Sequence, residues 1–514
     1  MCYKNDFLGG FAMHTGHLPG RLLPIRVSRR TLPTLALLLL AFPLIAGAQT
    51  WGNSVWSDEF NGAANSAIDP ANWQYDTGIL NVNNEVEYYC APGSSTPPCS
   101  AGTPNAYIDG NGHLVIQSIK INSNVSPYSG SWTSARLNTG NNLQSFQYGR
   151  LESNMSLPIG AGLWPAYWAL GTNISSVGWP ASGEIDFMEN VPASGNLGPT
   201  AIRSTLHGGT SSSSCYCGGN GLGQSYTFPS NDPNGPDVTT FHTYGAIWST
   251  NMVQFYVDDP GNIFLVRTIN DVPSGLTWDF NHPFFLLLNL AVGGTGSWPG
   301  APDSGTPNPA LMTVDYVRWY TPSPVAGPTM SSAPISVKAG SPGSATASMS
   351  STSGTGRVYL SCTTTAPKAT CSINSGDPLN QYTVDFSKSA SGTATVNVTT
   401  TANTAGLARP SRELNKRAVF ASIFGVLGFV FVGTLLMPAS WSRSLRRGLG
   451  GTALMLALLM HTGCGGGGSS NGGGGGSGGN GTTPGSYSIT VNAYTVSNVS
   501  GNPDSTANVV LTVN

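Results

Sequence analysis

Three carboxylates fall within the eight residues GEIDFMEN, Gly183 to Asn190: Glu184, Asp186 and Glu189. Two carboxyl groups flanking a sugar ring suffice to break a glycosidic bond, one attacking the anomeric carbon while the other protonates the departing oxygen. Clustered acids also repel one another, which raises one pKa and keeps a proton available near neutral pH. On a regular β-strand Glu184 and Asp186 point the same way, whereas Glu189 points to the opposite face. One extra residue taken up as a β-bulge near Phe187 or Met188 slips the phase and returns Glu189 to its partners. By spacing alone, a calcium site or a solvated acidic strand fits these residues as well.

Aromatic residues stand close by. GLWPAYWALG (162–171) and GWP (178–180) place Trp164, Trp168 and Trp179 beside the acids. Flat apolar faces on an open groove suit sugar rings, and Trp164 and Trp168 are the residues assigned to the cleft.

The elements that must carry these residues are strands. Between residues 51 and 322 the chain consists of short alternating stretches such as HLVIQSI, FHTYGAIW and VQFYVDD, divided by Gly, Asn, Pro and Asp, with no sustained helical period. That pattern predicts an all-β fold, a large antiparallel sandwich with long loops. From 330 to 402 aromatics thin out and Ser, Thr and Gly dominate, predicting an Ig-like sandwich whose last strands lie at 485–514. Few aromatics there are candidates for sugar binding, so this module is expected to serve as a spacer or anchor.

Several function classes are excluded by composition. Only 9% of the residues are charged and the net charge is −2, against roughly 25% charged in typical soluble proteins. Without a basic stripe there is nothing to neutralise a phosphate backbone, so no nucleic-acid partner is expected. Residues 1–48 read as a signal peptide, with arginines, an apolar run and a small-x-small close at Ala46 to Ala48, implying secretion to the extracellular space or the cell envelope. Residues 418–460 form a hydrophobic segment, read as a membrane hairpin that would anchor the chain, and 464–484 a Gly-rich linker. In an oxidising compartment Cys90 with Cys99, and Cys362 with Cys371, are near enough to close local loops, while Cys215 and Cys217 are too tightly spaced for an easy mutual bridge.

With these residues in hand, a resemblance becomes specific. The run YGRLE, LPIGAGLWPAYWALG and GEIDFMEN resembles glycoside hydrolase family 16 in its bulged E-x-D-x-x-E form. WSDEFNG, NNEVEYY, TSARL, TLHGG, NLAVGGTGSWPG and VDYVRWY fit the same family in order, so the resemblance covers residues 51–322. It implies a concanavalin A-like β-jelly-roll whose concave groove binds a polysaccharide, with Glu184 as nucleophile, Glu189 as acid/base and Asp186 assisting both. Trp164, Trp168, Arg136, His207, Asn84, Glu85 and Asn289 fall on positions that line such a groove. Family members often hold a structural calcium, for which Glu59, Gly112 and Asp315 would be the ligands here, and no cofactor is required for the chemistry.

Among family members the sequence looks most like laminarinases, which implies a monomeric retaining endo-β-1,3-glucanase acting on β-glucan. An agarase, another β-galactan hydrolase or a transglycosylase of the same family is the alternative. A glucan-binding recognition protein is the non-enzymatic one; such proteins have usually lost one of the acids, and all three are present here. TLHGG lacks the aromatic that often follows the histidine, and the GTSSSSCYCGGNG insertion stands where it could reshape one end of the groove.

Overall fold

A computed structural model describes residues 51–121, 130–140, 143–191, 197–351, 355–402 and 481–514. The expected signal peptide, the 418–460 hydrophobic segment and nearly all of the Gly-rich linker lie outside the described residues. Among the described residues no helix is long and apolar enough to cross a membrane.

Two β-sheets pack face to face over one core. One contains Ile263–Thr268, Met252–Val257, His242–Ser249, Gly149–Ser156, Ala310–Tyr320 and Leu114–Lys120 in that order, then two short strands at its far edge. The other runs Ser214–Tyr216, Ala201–Ser211, Glu184–Glu189, Leu163–Gly171, Phe284–Val292, Arg136–Asn138 and Gln74–Asp76. Nearly every pairing is antiparallel, as strands joined by short polar turns require. Alternate residues of both sheets, among them Leu151, Tyr167, Phe187, Phe255, Leu286 and Val317, fill the space between them. This is the β-jelly-roll sandwich.

A second sandwich follows. Thr329–Ser332, Pro342–Ser350, Ser391–Thr400 and Ala369–Asn374 form one sheet. Ile335–Val337, Ser505–Val513, Gly485–Tyr494, Arg357–Thr364 and Thr383–Asp385 form the other. The C-terminal strands thus sit in the middle of a sheet begun before residue 403. Cys362 and Cys371 belong to opposite sheets and are bridged, so this disulfide ties the two layers together. Cys90 and Cys99 close a loop in the large sandwich.

Cys215 and Cys217 are also bridged, which corrects the expectation that they are too close. A fully extended chain carries residues i and i+2 about 7 Å apart, whereas these Cα atoms are 5.3 Å apart, within disulfide reach.

The small sandwich, expected to serve as a spacer or anchor, packs directly against the large one. His242–Ser249 and Met252–Val257 are buried along their whole length, because both faces of that sheet are covered. Val253, Phe255 and Val257 enter the main core. Ile247, Met252, Tyr256 and Val266 instead pack in a cluster with Tyr359 and Val496 of the small sandwich, with Leu379, Tyr382 and Tyr494 beside them. Polar contacts frame that cluster: Asn270 Nδ2 donates to the Tyr359 hydroxyl at 3.1 Å, Asn380 Nδ2 to Asp271 Oδ2 at 2.7 Å, and Thr250 Oγ1 to Asn498 O at 3.0 Å.

Removing residues 323–514 would return these apolar side chains to water, and fully exposing a side chain of this size costs roughly 1.5–3 kcal/mol. The shortened chain is expected to melt several degrees below the full chain in calorimetry. Equal melting temperatures would mean the contact contributes nothing to stability.

Candidate active site

The acids lie mid-sheet, on the strand between Leu163–Gly171 and Ala201–Ser211. Gly183 launches this strand with φ 70°; a Cβ there would lie 2.5 Å from Asp279 O and 2.9 Å from Phe284 Cζ, so conformation and space both demand glycine. On one side Asp186 pairs with Trp168 but Met188 with Tyr167, so the register shifts across Phe187. On the other, Asp186 pairs with Thr205 and Glu189 with Arg203. The bulge sends two consecutive side chains into the core, Phe187 (1% exposed) and Met188 (0%), and Phe187 stacks on Tyr167 with ring centroids 4.6 Å apart. The Phe187 carbonyl, displaced from the ladder, accepts the Ser204 hydroxyl at 2.6 Å. Glu184, Asp186 and Glu189 consequently share the face opposite Ile185, Phe187 and Met188.

Each acid has its own partner. Trp179 Nε1 donates to Glu184 Oε2 at 3.0 Å and Trp164 Nε1 to Glu189 Oε1 at 3.0 Å. His207 Nε2 lies 3.1 Å from Asp186 Oδ2 and 3.8 Å from Glu184 Oε1. Burial pushes the Glu184 carboxyl up to about 8; the Asp186 and Glu189 charges add to this, against His207 and the Trp179 indole. Burial does the same to Asp186, also to about 8, against the hydrogen bond with Glu184 and the Arg203 charge. Glu189 is raised to about 8 by burial and by Asp186, opposed by His207, Trp164 and Arg203. Such a cluster can hold a proton near neutral pH next to an ionised carboxylate, which is the requirement for acid-assisted displacement.

The other residues picked from the sequence converge on the same face. Trp168 Nε1 donates to Asn289 Oδ1 at 2.7 Å, Asn289 Nδ2 to the Tyr89 hydroxyl at 3.4 Å, and that hydroxyl to Glu85 Oε2 at 3.4 Å. Arg136 lies over the Trp168 ring, its Cζ 4.7 Å from the centroid, and its Nε donates to Asp76 Oδ2 at 2.8 Å. Asn84 O accepts the Gly294 N–H at 2.8 Å, and Glu85 bridges to Gly293, which pins the 83–85 loop to the end of the Phe284–Val292 strand.

A family model described as glycosyl hydrolases family 16 matches residues 100–318. The beta-glucanase of Rhodothermus marinus is 34% identical over 274 residues, 52% of this chain and 84% of that protein. The chain belongs to glycoside hydrolase family 16. Glucan endo-1,3-beta-glucosidase A1 of Niallia circulans is 34% identical over 291 residues, 54% of this chain but only 38% of that protein's length. The solved endo-beta-1,3-glucanase of Pyrococcus furiosus is 36% identical, with 55% of this chain and 99% of that chain covered and a TM-score of 0.45.

Some features of this family 16 site were not picked out beforehand. Trp179, 42% exposed, was seen near the acids, but its bond to Glu184 depends on how a loop folds back. Trp298 meets Trp164 edge to face at 5.5 Å, joining residues far apart in the chain. Arg203 and Thr205 oppose Glu189 and Asp186, and their alternation with His207 in AIRSTLHGG was the available signal.

The expected calcium ligands behave differently. Both Glu59 carboxylate oxygens are taken by Arg318, Oε1 by Nε at 2.9 Å and Oε2 by Nη2 at 2.7 Å, which holds the carboxyl below its ordinary range. The Glu59 side chain is thus committed to this ion pair. Asp315 sits at a register shift between Val314 and Tyr316, and Val314 pairs with Leu114 two residues beyond Gly112. Among the described residues, two sets bring His and carboxylate donor atoms within 4.8 Å of one another: Glu184, Asp186 and His207, and Asp232, His242 and Asp258. In the second, His242 Nδ1 is 2.9 Å from Asp258 Oδ2 and Nε2 3.0 Å from Thr240 Oγ1, so both ring nitrogens are already occupied.

The raised acids have a consequence for stability. Below about pH 4.5 Glu184 is protonated in folded and unfolded chains alike; as pH rises to about 8 the unfolded chain ionises freely while the fold resists, so stability is lost across that window. Glu184→Gln removes this penalty. The variant is expected to gain melting temperature relative to wild type between pH 4.5 and 8, by a few degrees in calorimetry. A gap that does not change with pH would show that Glu184 carries no such penalty.

Proposed function

We propose that this chain is a secreted, retaining endo-β-1,3-glucanase. The observation that carries the reading is the bulge that sets Glu184, Asp186 and Glu189 on one face among indole rings. Glu184 attacks the anomeric carbon and forms a glycosyl-enzyme ester, while Glu189 gives its proton to the departing oxygen. Glu189 then takes a proton from water, which attacks the ester and releases a product of unchanged anomeric configuration. Asp186 shares a hydrogen bond with Glu184 and tunes which of the two is ionised. Trp179 and Trp164 hold one oxygen of each glutamate, leaving the others for the reaction. The steps run on protein side chains, and the proposal is of a monomer. Low positive charge favours a neutral glucan over a sulfated galactan.

Secretion and anchoring belong to the same proposal. The Thr401 N–H donates to Thr482 Oγ1 at 2.9 Å and the Thr482 N–H to Thr401 O at 2.9 Å. A membrane hairpin at 418–460 is compatible with both sandwiches on one side of a bilayer.

The test is incubation with laminarin, lichenan, agarose and xyloglucan, reading new reducing ends and product sizes, with NMR of the first anomer formed. Laminarin is expected to yield mixed oligosaccharides of β configuration. Glu184→Gln and Glu189→Gln should each lower kcat by roughly 10²–10⁴-fold. Activity should follow a bell in pH, falling on the alkaline side as Glu189 loses the proton it must donate and on the acid side as Glu184, also raised by burial, becomes protonated. Binding of a glucan without cleavage, unchanged by Glu184→Gln, would establish the recognition-protein alternative; α-anomeric product would exclude the double displacement.

A further inference from the structure

His207, Thr205 and Arg203 stand in register opposite Glu184, Asp186 and Glu189, so each acid faces one side chain of this row. The backbone ladder fixes the register and His207 Nε2 meets Asp186, but Thr205 Oγ1 and His207 Nδ1 are buried and make no hydrogen bond with the described residues. These two side chains rely on packing for their placement.

The insertion GTSSSSCYCGGNG continues into LGQ, and two glycines there, Gly221 and Gly223, lie against these same residues. A Cβ on Gly221 would lie 2.5 Å from His207 Cε1, 2.7 Å from His207 Nδ1 and 2.5 Å from Thr205 Cγ2. One on Gly223 would lie 2.6 Å from Thr205 Oγ1 and 2.8 Å from Arg203 Nη2. Backbone freedom does not explain either glycine: Gly221 has φ −58° and ψ 153°, open to any residue, and Gly223 is not at positive φ. The requirement is closeness. Gly219, in the same turn, has nothing within 4 Å of its would-be Cβ.

The turn is held at both ends. Downstream, the Leu222 N–H donates to Leu206 O at 2.9 Å and Gln224–Thr227 pairs with Ala201–Ser204. Upstream, Cys215 pairs with Gly209 and is bridged to Cys217, while the Tyr216 hydroxyl between them donates to Thr277 O at 2.9 Å.

We propose that Gly221 and Gly223, held in place by the Cys215–Cys217 bridge, are positioning residues for the three acids: their bare backbone backs His207, Thr205 and Arg203 and fixes where that row meets Glu184, Asp186 and Glu189. This rests on the glucanase reading for its kinetic consequence, though not for its structural one. Displacement of about 1 Å near reacting groups can lower turnover by roughly 10²-fold.

Gly219→Ala, Gly221→Ala, Gly223→Ala and the double variant Cys215→Ser/Cys217→Ser, each in the full chain, test it by laminarin kinetics across pH, melting temperature and the ring-nitrogen NMR signals of His207. Gly221→Ala is expected to lower kcat by roughly tenfold or more, with KM within about twofold, to alter the pH profile and to move the His207 signals. Gly223→Ala should lower kcat likewise, the double serine variant should show the same changes in smaller measure, and Gly219→Ala should match wild type. Unchanged kcat, pH profile and His207 signals in both Gly221→Ala and Gly223→Ala would overturn the assignment. So would equal effects from Gly219→Ala. Should wild type cleave none of the glycans, the functional reading fails and the His207 signals decide the positioning role alone. If Gly221→Ala and Gly223→Ala do not fold, the double serine variant decides, and His207 signals like those of wild type would overturn it.

Discussion

The seating of Phe187 and Met188 side by side in the core is the constraint on which the active face depends. A strand alternates faces without exception unless a residue is added, and the added residue survives only if the core can take it. Here the core takes both: Met188 is fully buried, Phe187 stacks on Tyr167, and Ser204 satisfies the displaced Phe187 carbonyl. A polar residue at either position would leave an unpaired group in the sandwich and favour the regular register, in which Glu189 turns inward. The acid constellation is therefore held from behind, by apolar contacts that never meet a substrate.

Holding the acids there opposes folding. Three carboxyls set close together in a half-buried groove resist ionisation, and their neighbours offset only part of that cost: two indole N–H groups, one imidazole and the Arg203 charge. None of these partners neutralises an acid outright. A bidentate arginine of the kind that clamps Glu59 would lower a carboxyl's pKa and occupy both oxygens, removing the proton and the lone pairs the chemistry needs. Single-point contacts from tryptophan orient each glutamate and leave one oxygen open.

Much of this was legible in the sequence wherever the signal was local. The period-two pattern of FHTYGAIW and VQFYVDD announces strands, and the odd spacing of Glu189 announces a bulge because no regular strand brings it beside Glu184 and Asp186. Less legible was whatever depends on residues meeting from distant parts of the chain. Nothing near Glu59 announces Arg318, and nothing near Trp164 announces Trp298. Cys215 and Cys217 illustrate a different failure: spacing alone implied too tight a ring, but a slight contraction of the strand brings the Cα atoms into range. Residues 252–257 read as an alternating strand with one face inward, and nothing in the sequence announced that the small sandwich would cover the other face as well.

That second layer bears on the groove itself. A sandwich has two outer faces, and only one of these must stay open for a polysaccharide. The groove face gives up stability, since it exposes indoles and crowds acids together. On the other sheet, Ile247, Met252, Tyr256 and Val266 do the reverse, burying apolar surface against Tyr359 and Val496. Since folding stability is a sum over the whole cooperative unit, surface buried on one side can offset strain carried on the other without touching it. The small sandwich thereby covers the sheet on which the acid-bearing sheet is packed. In chain order, the strands at 485–513 return to complete a layer begun before residue 403.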